Sequence, residues 1–223
     1  KITFEGEASD VSDDNPYGKA KGNQEQFTAG FNLKNLFKKG YVQTVLANST
    51  SFSNIENHDL RTDAMKFYYD SYETDLNLKS EVFYQINSSN NIIIGGSGRY
   101  IKVKNETFYV ADTTAFGDTI PETNVNVKDN YRKASGFTQY TLKLFKNKLI
   151  LNAGLRVDYF SGINDNTVVS PRFGLSYNIL PTTTLSASTG IFRQSPEYLW
   201  LTSDIRNKNL EFIKADHFVL GLE

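Results

Sequence analysis

Several groups of residues in this chain are of types that do chemistry, and each lacks the spacing that the chemistry needs. Gly95-Gly96-Ser97-Gly98 sets a serine among glycines. A nucleophile elbow needs Gly-x-Ser-x-Gly, and the dinucleotide and phosphate-loop patterns do not fit either. The stretch reads as small residues where a strand packs closely or bends. His58 and His217 could ligate a metal, but neither has a second histidine four residues away, so each reads as a loop or interface residue. Glu73, Asp75 and Glu81 could pair as general acid and base; with Lys79 among them on one strand, they are more simply a wetted polar face. Glu106, Asp112, Asp118, Glu122 and Asp129 are too scattered for a calcium loop. The chain has no cysteine, which removes disulfides and thiolate ligands. The expectation is no catalytic residue, no metal site and no cofactor: the chain is not read as an enzyme.

The elements that carry these residues are more informative. From Tyr72 to Ile86 one face collects Tyr72, Thr74, Leu76, Leu78, Ser80, Val82, Tyr84 and Ile86, and the other collects charged and amide residues, with Phe83 the one exception. That is the period of two of a strand with one apolar and one polar face. At about 3.3 Å per residue it would extend roughly 50 Å, against the five or six residues of an ordinary strand. The same alternation runs through Leu149 to Phe160, Val169 to Tyr177 and Thr183 to Phe192. Weaker strands are expected at Gln26–Leu36, Tyr41–Phe52, Ile92–Val103, Phe137–Phe145 and Phe212–Leu222, with Lys1–Glu7 as the end of one more. No apolar run approaches the eighteen or so residues of a membrane helix. A mean hydropathy of −0.44 would suit a soluble protein, but a membrane barrel shows lipid only every second residue.

The connections alternate in length. Short turns are expected at 37–40, 87–91, 145–148 and 178–181, and longer polar loops at 8–25, 53–71, 104–135, 161–168 and 193–209. Short turns on one rim and long loops on the other describe an outer-membrane barrel. A β-sandwich has shorter strands with turns every 8–12 residues or so. The net charge of −1 with no dense basic block gives no reason to expect a nucleic-acid partner.

The second half carries a resemblance. Gly154-Leu155-Arg156-Val157-Asp158-Tyr159 is followed by Ser170-Pro171-Arg172-Phe173-Gly174-Leu175-Ser176-Tyr177, then by Thr184 to Pro196, Asn207-Lys208-Asn209-Leu210 and Ala215 to Glu223. This order and spacing resembles the barrel domain of TonB-dependent outer-membrane receptors. The tract Asn35-Leu36-Phe37-Lys38-Lys39-Gly40-Tyr41 is similar to members from Bacteroidota. The resemblance implies an all-β, antiparallel up-and-down barrel segment of nine or ten long strands over residues 1–223. A barrel of about 22 strands encloses a plug. Both ends of the chain read as cuts, leaving out the plug domain, the TonB box and the closing strand. The implied setting is the Gram-negative outer membrane. The implied partners are its lipid, the receptor's own plug, the TonB complex and a nutrient: an iron chelate, cobalamin, glycan or peptide.

Within that frame, candidate ligand contacts are the aromatic and polar residues of the long loops: Tyr68 and Tyr69 beside Phe67; Phe108, Tyr109 and Phe116; and Arg193, Gln194, Tyr198 and Trp200. Aromatic faces suit sugars and planar chelates. Arg193, taken as ending a strand at the lumen mouth, could clamp an anion. Girdle or loop packing is the rival reading for the aromatics. Arg156, Asp158 and Arg172 are expected to face the lumen, toward the plug or one another. Two alternatives stand beside transport: a passive barrel such as a porin or lipid transporter, and a soluble all-β binding module or adhesin. The strands are long for the latter.

Overall fold

The computed structural model describes residues 2–9, 16–113, 117–203 and 205–223. Its strands are β1 (Ile2–Ser9), β2 (Pro16–Phe37), β3 (Gly40–His58), β4 (Met65–Gln85), β5 (Asn90–Tyr109), the two-residue pair β6 (Asp112–Thr113) and β7 (Thr119–Ile120), β8 (Thr123–Leu144), β9 (Leu149–Phe160), β10 (Thr167–Leu180), β11 (Thr183–Gln194) and β12 (Ile213–Leu222). A short helix, α1 (Tyr198–Ser203), and a 3-10 turn (Ile205–Asn209) lie between the last two. Ten strands form one sheet in the order β1-β2-β3-β4-β5-β8-β9-β10-β11-β12, with β6 and β7 pairing apart. Each strand of the large sheet therefore sits beside its neighbours in sequence. It is an antiparallel meander, not closed on itself, with β1 and β12 as its outer strands.

The alternation read from sequence becomes two faces because residues directly opposite on paired strands share a side. Leu155 stands opposite Pro171, Val157 opposite Val169, Ala153 opposite Phe173 and Leu175 opposite Ala187. The other side pairs Arg156 with Ser170, Gly154 with Arg172 and Gly190 with His217. The usual burial rule is inverted on the apolar side: Leu155 is 46% exposed, Phe173 47% and Leu220 81%. An apolar surface of this extent calls for a nonaqueous partner. No helix among the described residues is long and apolar enough to cross a membrane. Along β4 the apolar side runs from Tyr72 to Tyr84, roughly 40 Å of strand. Tilted by about 45°, that matches an apolar band of about 25 Å with aromatic residues at its borders.

The strands are longer than the sequence suggests. β2 and β8 have 22 residues each, β4 21, β5 20 and β3 19. A tilted crossing needs only about 9–11. Most of the polar stretches expected as loops at 8–25, 53–71 and 104–135 are strand, and the connections between strands shrink to 59–64 and 110–122. The reason is physical. Beyond the bilayer both faces meet water, so apolar alternation disappears while backbone pairing continues.

By packing, the chain falls into two compact units. The first comprises Lys1–Ala29, Asn48–Leu76 and Ile101–Asn130; the second comprises Gly30–Ala47, Asn77–Tyr100 and Tyr131–Glu223. The second holds the short turns 38–39, 86–89, 145–148 and 181–182 at one end of its strands and the connections 161–166 and 195–212 at the other. The turn after β8 is made without glycine: Phe145, Lys146 and Asn147 all have positive φ, at 51°, 57° and 67°. A left-handed L-residue costs about 1–2 kcal/mol, and asparagine tolerates it best. Lys146→Gly should therefore stabilise the complete barrel by about 1 kcal/mol, read as a shift in the urea midpoint of refolding into bilayers.

Candidate functional site

In the first unit Tyr68 and Tyr69 lie on β4, and Phe108 and Tyr109 on β5, instead of in loops as the sequence suggests. Phe116 lies outside the described residues. Thr50 bonds Thr74 at 3.0 Å and Phe52 meets Tyr72 at 5.0 Å, which fixes the register of β3 against β4. Counting by twos from Tyr72 puts Tyr68 on the side of the exposed apolar residues, among Asn54, Glu56 and Asp70. Burial holds its phenol above the ordinary value, helped by the carboxylates of Asp70, Glu106 and Glu56 and opposed by a hydrogen bond with Asn54. Tyr69 takes the opposite side with Phe67, whose ring meets Tyr109 edge-on at 6.0 Å. The two tyrosines therefore cannot share one ligand. In the turn below, Asp59 accepts the Lys66 ammonium at 2.8 Å and the backbone N–H groups of Arg61 and Thr62. Lys66 first, then those amides, hold its carboxyl well below the usual carboxylate range.

In the second unit the polar face is organised by cations against acids and rings. Arg156 donates through Nε and Nη2 to both oxygens of Asp158 at 2.8 and 2.7 Å. Arg172 lies over the Phe192 ring at 4.2 Å. Lys79 pairs with Glu81 at 2.9 Å and stands 5.9 Å from the Phe137 ring. Phe83, the odd aromatic of its strand, stacks on Tyr41 at 5.5 Å, so its position on the polar side is filled by a partner. Gly154, Gly174, Ser188 and Gly190 leave a groove of about 320 Å³ beside Arg172 and His217. His217 packs against Phe192 at 4.4 Å. Among the described residues no group of His, Asp and Glu is placed to hold a metal.

At the long-connection end of this face a small core orders the segment between β11 and β12. Phe160 is fully buried, with Tyr131, Ile163, Leu201 and Phe212 each under 8% exposed. Tyr198 stacks on Tyr131 at 5.2 Å, and the Lys133 ammonium stands 4.8 Å from the Phe160 ring and 4.6 Å from that of Tyr198. Gly162 is required here, because a Cβ would run into the Phe160 ring. Tyr198 is thus committed to packing. Trp200, two residues on and so toward the other side of the helix, remains 49% exposed, and its carbonyl accepts Asn207 Nδ2 at 2.6 Å. Gln194 is exposed and shares the polar side with Phe192. Arg193 does not: it stands opposite Lys214, on the side of Ile191, Thr189, Phe218 and Leu220. The lumen-mouth position expected for Arg193 is therefore corrected by register. The signal was present in the alternation of Leu185, Ala187, Thr189 and Ile191. Ser170, opposite Arg156, is 1% exposed, and its hydroxyl has no partner among the described residues.

A long-stranded meander with an exposed apolar band on one side and paired charges on the other defines the wall of a membrane-spanning β-barrel. The family model of the TonB-dependent receptor-like β-barrel matches residues 3–223, and the chain belongs to that family. It is a barrel-wall sheet of the Gram-negative outer membrane. No curated protein matches it in sequence. Among solved structures it is similar to the outer-membrane transporter YddB from Escherichia coli, with a TM-score of 0.69 and 12% identity over 99% of this chain and 34% of that one. It is also similar to the copper transporter OprC, with a TM-score of 0.65 and 16% identity over 99% and 38%. A mutant of the ferric enterobactin receptor PfeA from Pseudomonas aeruginosa gives 0.60 and 18% over 81% and 26%. At these identities the likeness is one of fold, and the chain spans only 26% to 38% of those three chains.

Proposed function

We propose that this chain is part of the barrel wall of an active outer-membrane transporter, which binds a nutrient outside the cell and imports it with energy delivered through TonB. The observation that carries the reading is the family match over residues 3–223, on a sheet whose polar face bears fixed, paired charges. Those charges, Arg156 with Asp158 and Arg172 over Phe192, suit contact with a plug in the lumen. The partners follow from the same reading: outer-membrane lipid, the plug and the TonB complex. The substrate class is an iron chelate, cobalamin, glycan or peptide. The related transporters of copper and ferric enterobactin support uptake of a scarce nutrient without selecting one. The Asn35–Tyr41 tract supports a Bacteroidota-like member.

Uptake of a panel drawn from those four classes should be lost when TonB is deleted. Uptake indifferent to TonB would favour the passive barrel. Within the complete transporter, Gln194 and Trp200 are the proposed ligand contacts in the second unit, being exposed at the end where the long connections lie. Trp200→Ala should weaken binding by roughly thirtyfold, the scale of a 2 kcal/mol aromatic anchor, with outer-membrane abundance unchanged. Gln194→Ala should cost less. Wild-type affinity in both variants would remove these two residues from the site.

A further inference from the structure

The helix that carries Trp200 is too short to stand by itself. α1 has six residues, and isolated helices below about 12–15 residues are marginal in water. Its inner side is fixed by Tyr198 and Leu201, which share one side of the helix and pack into the cluster around Phe160. That packing does nothing for the C-terminal end of α1, where the last four carbonyls of a helix have no partner within it. Trp200 bears one of them, and Asn207 Nδ2 meets it from outside at 2.6 Å. Asn207 lies on the 3-10 turn Ile205–Asn209, which is tied in its turn to the connection 161–166. Asn164 donates its backbone N–H to the Lys208 carbonyl at 2.8 Å and its Nδ2 to Asn209 Oδ1 at 2.7 Å. The connection 161–166 is itself seated on the sheet. Ser161 N–H donates to the Arg132 carbonyl at 2.9 Å, and Ser161 Oγ accepts from Arg132 N–H at 2.8 Å. Hydrogen bonds and short lengths of chain therefore lead from β8, through two connections distant in sequence, to the backbone of Trp200.

From this we infer that Asn164 and Asn207 are positioning residues for Trp200, holding its backbone so that the half-exposed ring stands in one place at the long-connection end. Neither asparagine is among the buried residues of the Phe160 cluster, so apolar packing of the segment does not depend on them. Their chemistry makes the two unequal. The Trp200 carbonyl can only accept, so residue 207 must donate; an amide does this and a carboxylate of the same shape cannot. The Asn164–Asn209 bond joins two amides, either of which can turn to become the donor. The consequence for binding rests on the proposal that Trp200 contacts the nutrient: an aromatic ring placed before encounter loses less freedom when the nutrient arrives. The placement of the ring itself stands apart from that proposal.

The test uses the complete receptor in detergent, labelled with 5-fluorotryptophan, with the Trp200 fluorine resonance assigned by its loss in Trp200→Phe. In the wild type that resonance should be displaced from the position of free 5-fluorotryptophan. In Asn207→Ala and Asn207→Asp it should move toward the free position and narrow. Asn164→Ala should move it the same way by less, because the backbone bond to Lys208 remains. Asn164→Asp should behave as wild type, since the Asn209 amide can turn to donate. For whichever iron chelate, cobalamin, glycan or peptide of the uptake panel the receptor imports, Asn207→Asp should weaken binding about fivefold, the scale of one hydrogen bond. In a Trp200→Ala background the same change should cost nothing further. A wild-type Trp200 resonance in both Asn207 variants overturns the proposal, as does a fivefold loss that persists without the Trp200 ring. Wild-type affinity in Trp200→Ala would remove Trp200 from the ligand site, and the resonance alone would then decide for or against the two asparagines.

Discussion

Leu155→Arg should cripple assembly of the complete barrel, while Asn152→Arg on the same strand should be tolerated. Leu155 sits near the middle of the outward series Leu149 to Tyr159, where an arginine facing hydrocarbon costs roughly 2–4 kcal/mol. Domains are stable by about 5–15 kcal/mol in total, so the loss is a large share. Asn152 is on the opposite side, where Thr141 Oγ1 donates to its Oδ1 at 2.8 Å. Its replacement gives up that one hydrogen bond, about 1 kcal/mol, and leaves the new charge on the polar side. Refolding into bilayers under urea measures both variants. Equal midpoints would mean that the face assignment, and with it the orientation of Arg156 and Asp158, is inverted or absent.

Phe160→Ala should release the segment 195–212. The ring is fully buried, and truncating a phenylalanine in such a place costs about 3–5 kcal/mol. What it holds is local: Tyr131, Tyr198 and the Lys133 ammonium surround it on the polar side of the sheet. The loss should therefore appear as rapid proteolytic cleavage within 195–212 of the detergent-solubilised receptor, while the strands stay protected. Trp200→Ala, whose ring is half exposed, should leave the segment as resistant as wild type. Resistance unchanged in Phe160→Ala would mean that this connection is held by something other than the ring cluster.

The sequence was legible wherever one face meets lipid. Leu149 to Tyr159 and Tyr72 to Tyr84 alternate so regularly that strand, faces and approximate ends can be read by counting. It was illegible where both faces meet water. Residues 53–58 and 123–136 pair as strands although their side chains on both sides are mostly polar. Nothing in residue type separates such a strand from a loop, and the backbone bonds that make it one involve every residue alike. Arg193 differs in kind. Its parity is readable from Leu185 onward, and parity, not nearness to a loop, sets which side of the sheet it takes. Tyr198 could not have been assigned from sequence, since its role depends on Tyr131, a strand distant in the chain that only the sheet order brings alongside.

The meander has a consequence for which insertions and deletions this wall can accept. Each strand pairs only with its chain neighbours, so removing or duplicating a whole hairpin leaves every other pairing intact. Adding one residue inside β9 or β10 is another matter, because it turns each side chain beyond the insertion to the opposite face, sending arginine into hydrocarbon and leucine into water. Length changes within lipid-facing stretches should therefore survive only as even numbers or as bulges, while 110–122 and 195–212 can vary by any count. Such a family can diversify its wall by whole hairpins and its mouth by single residues.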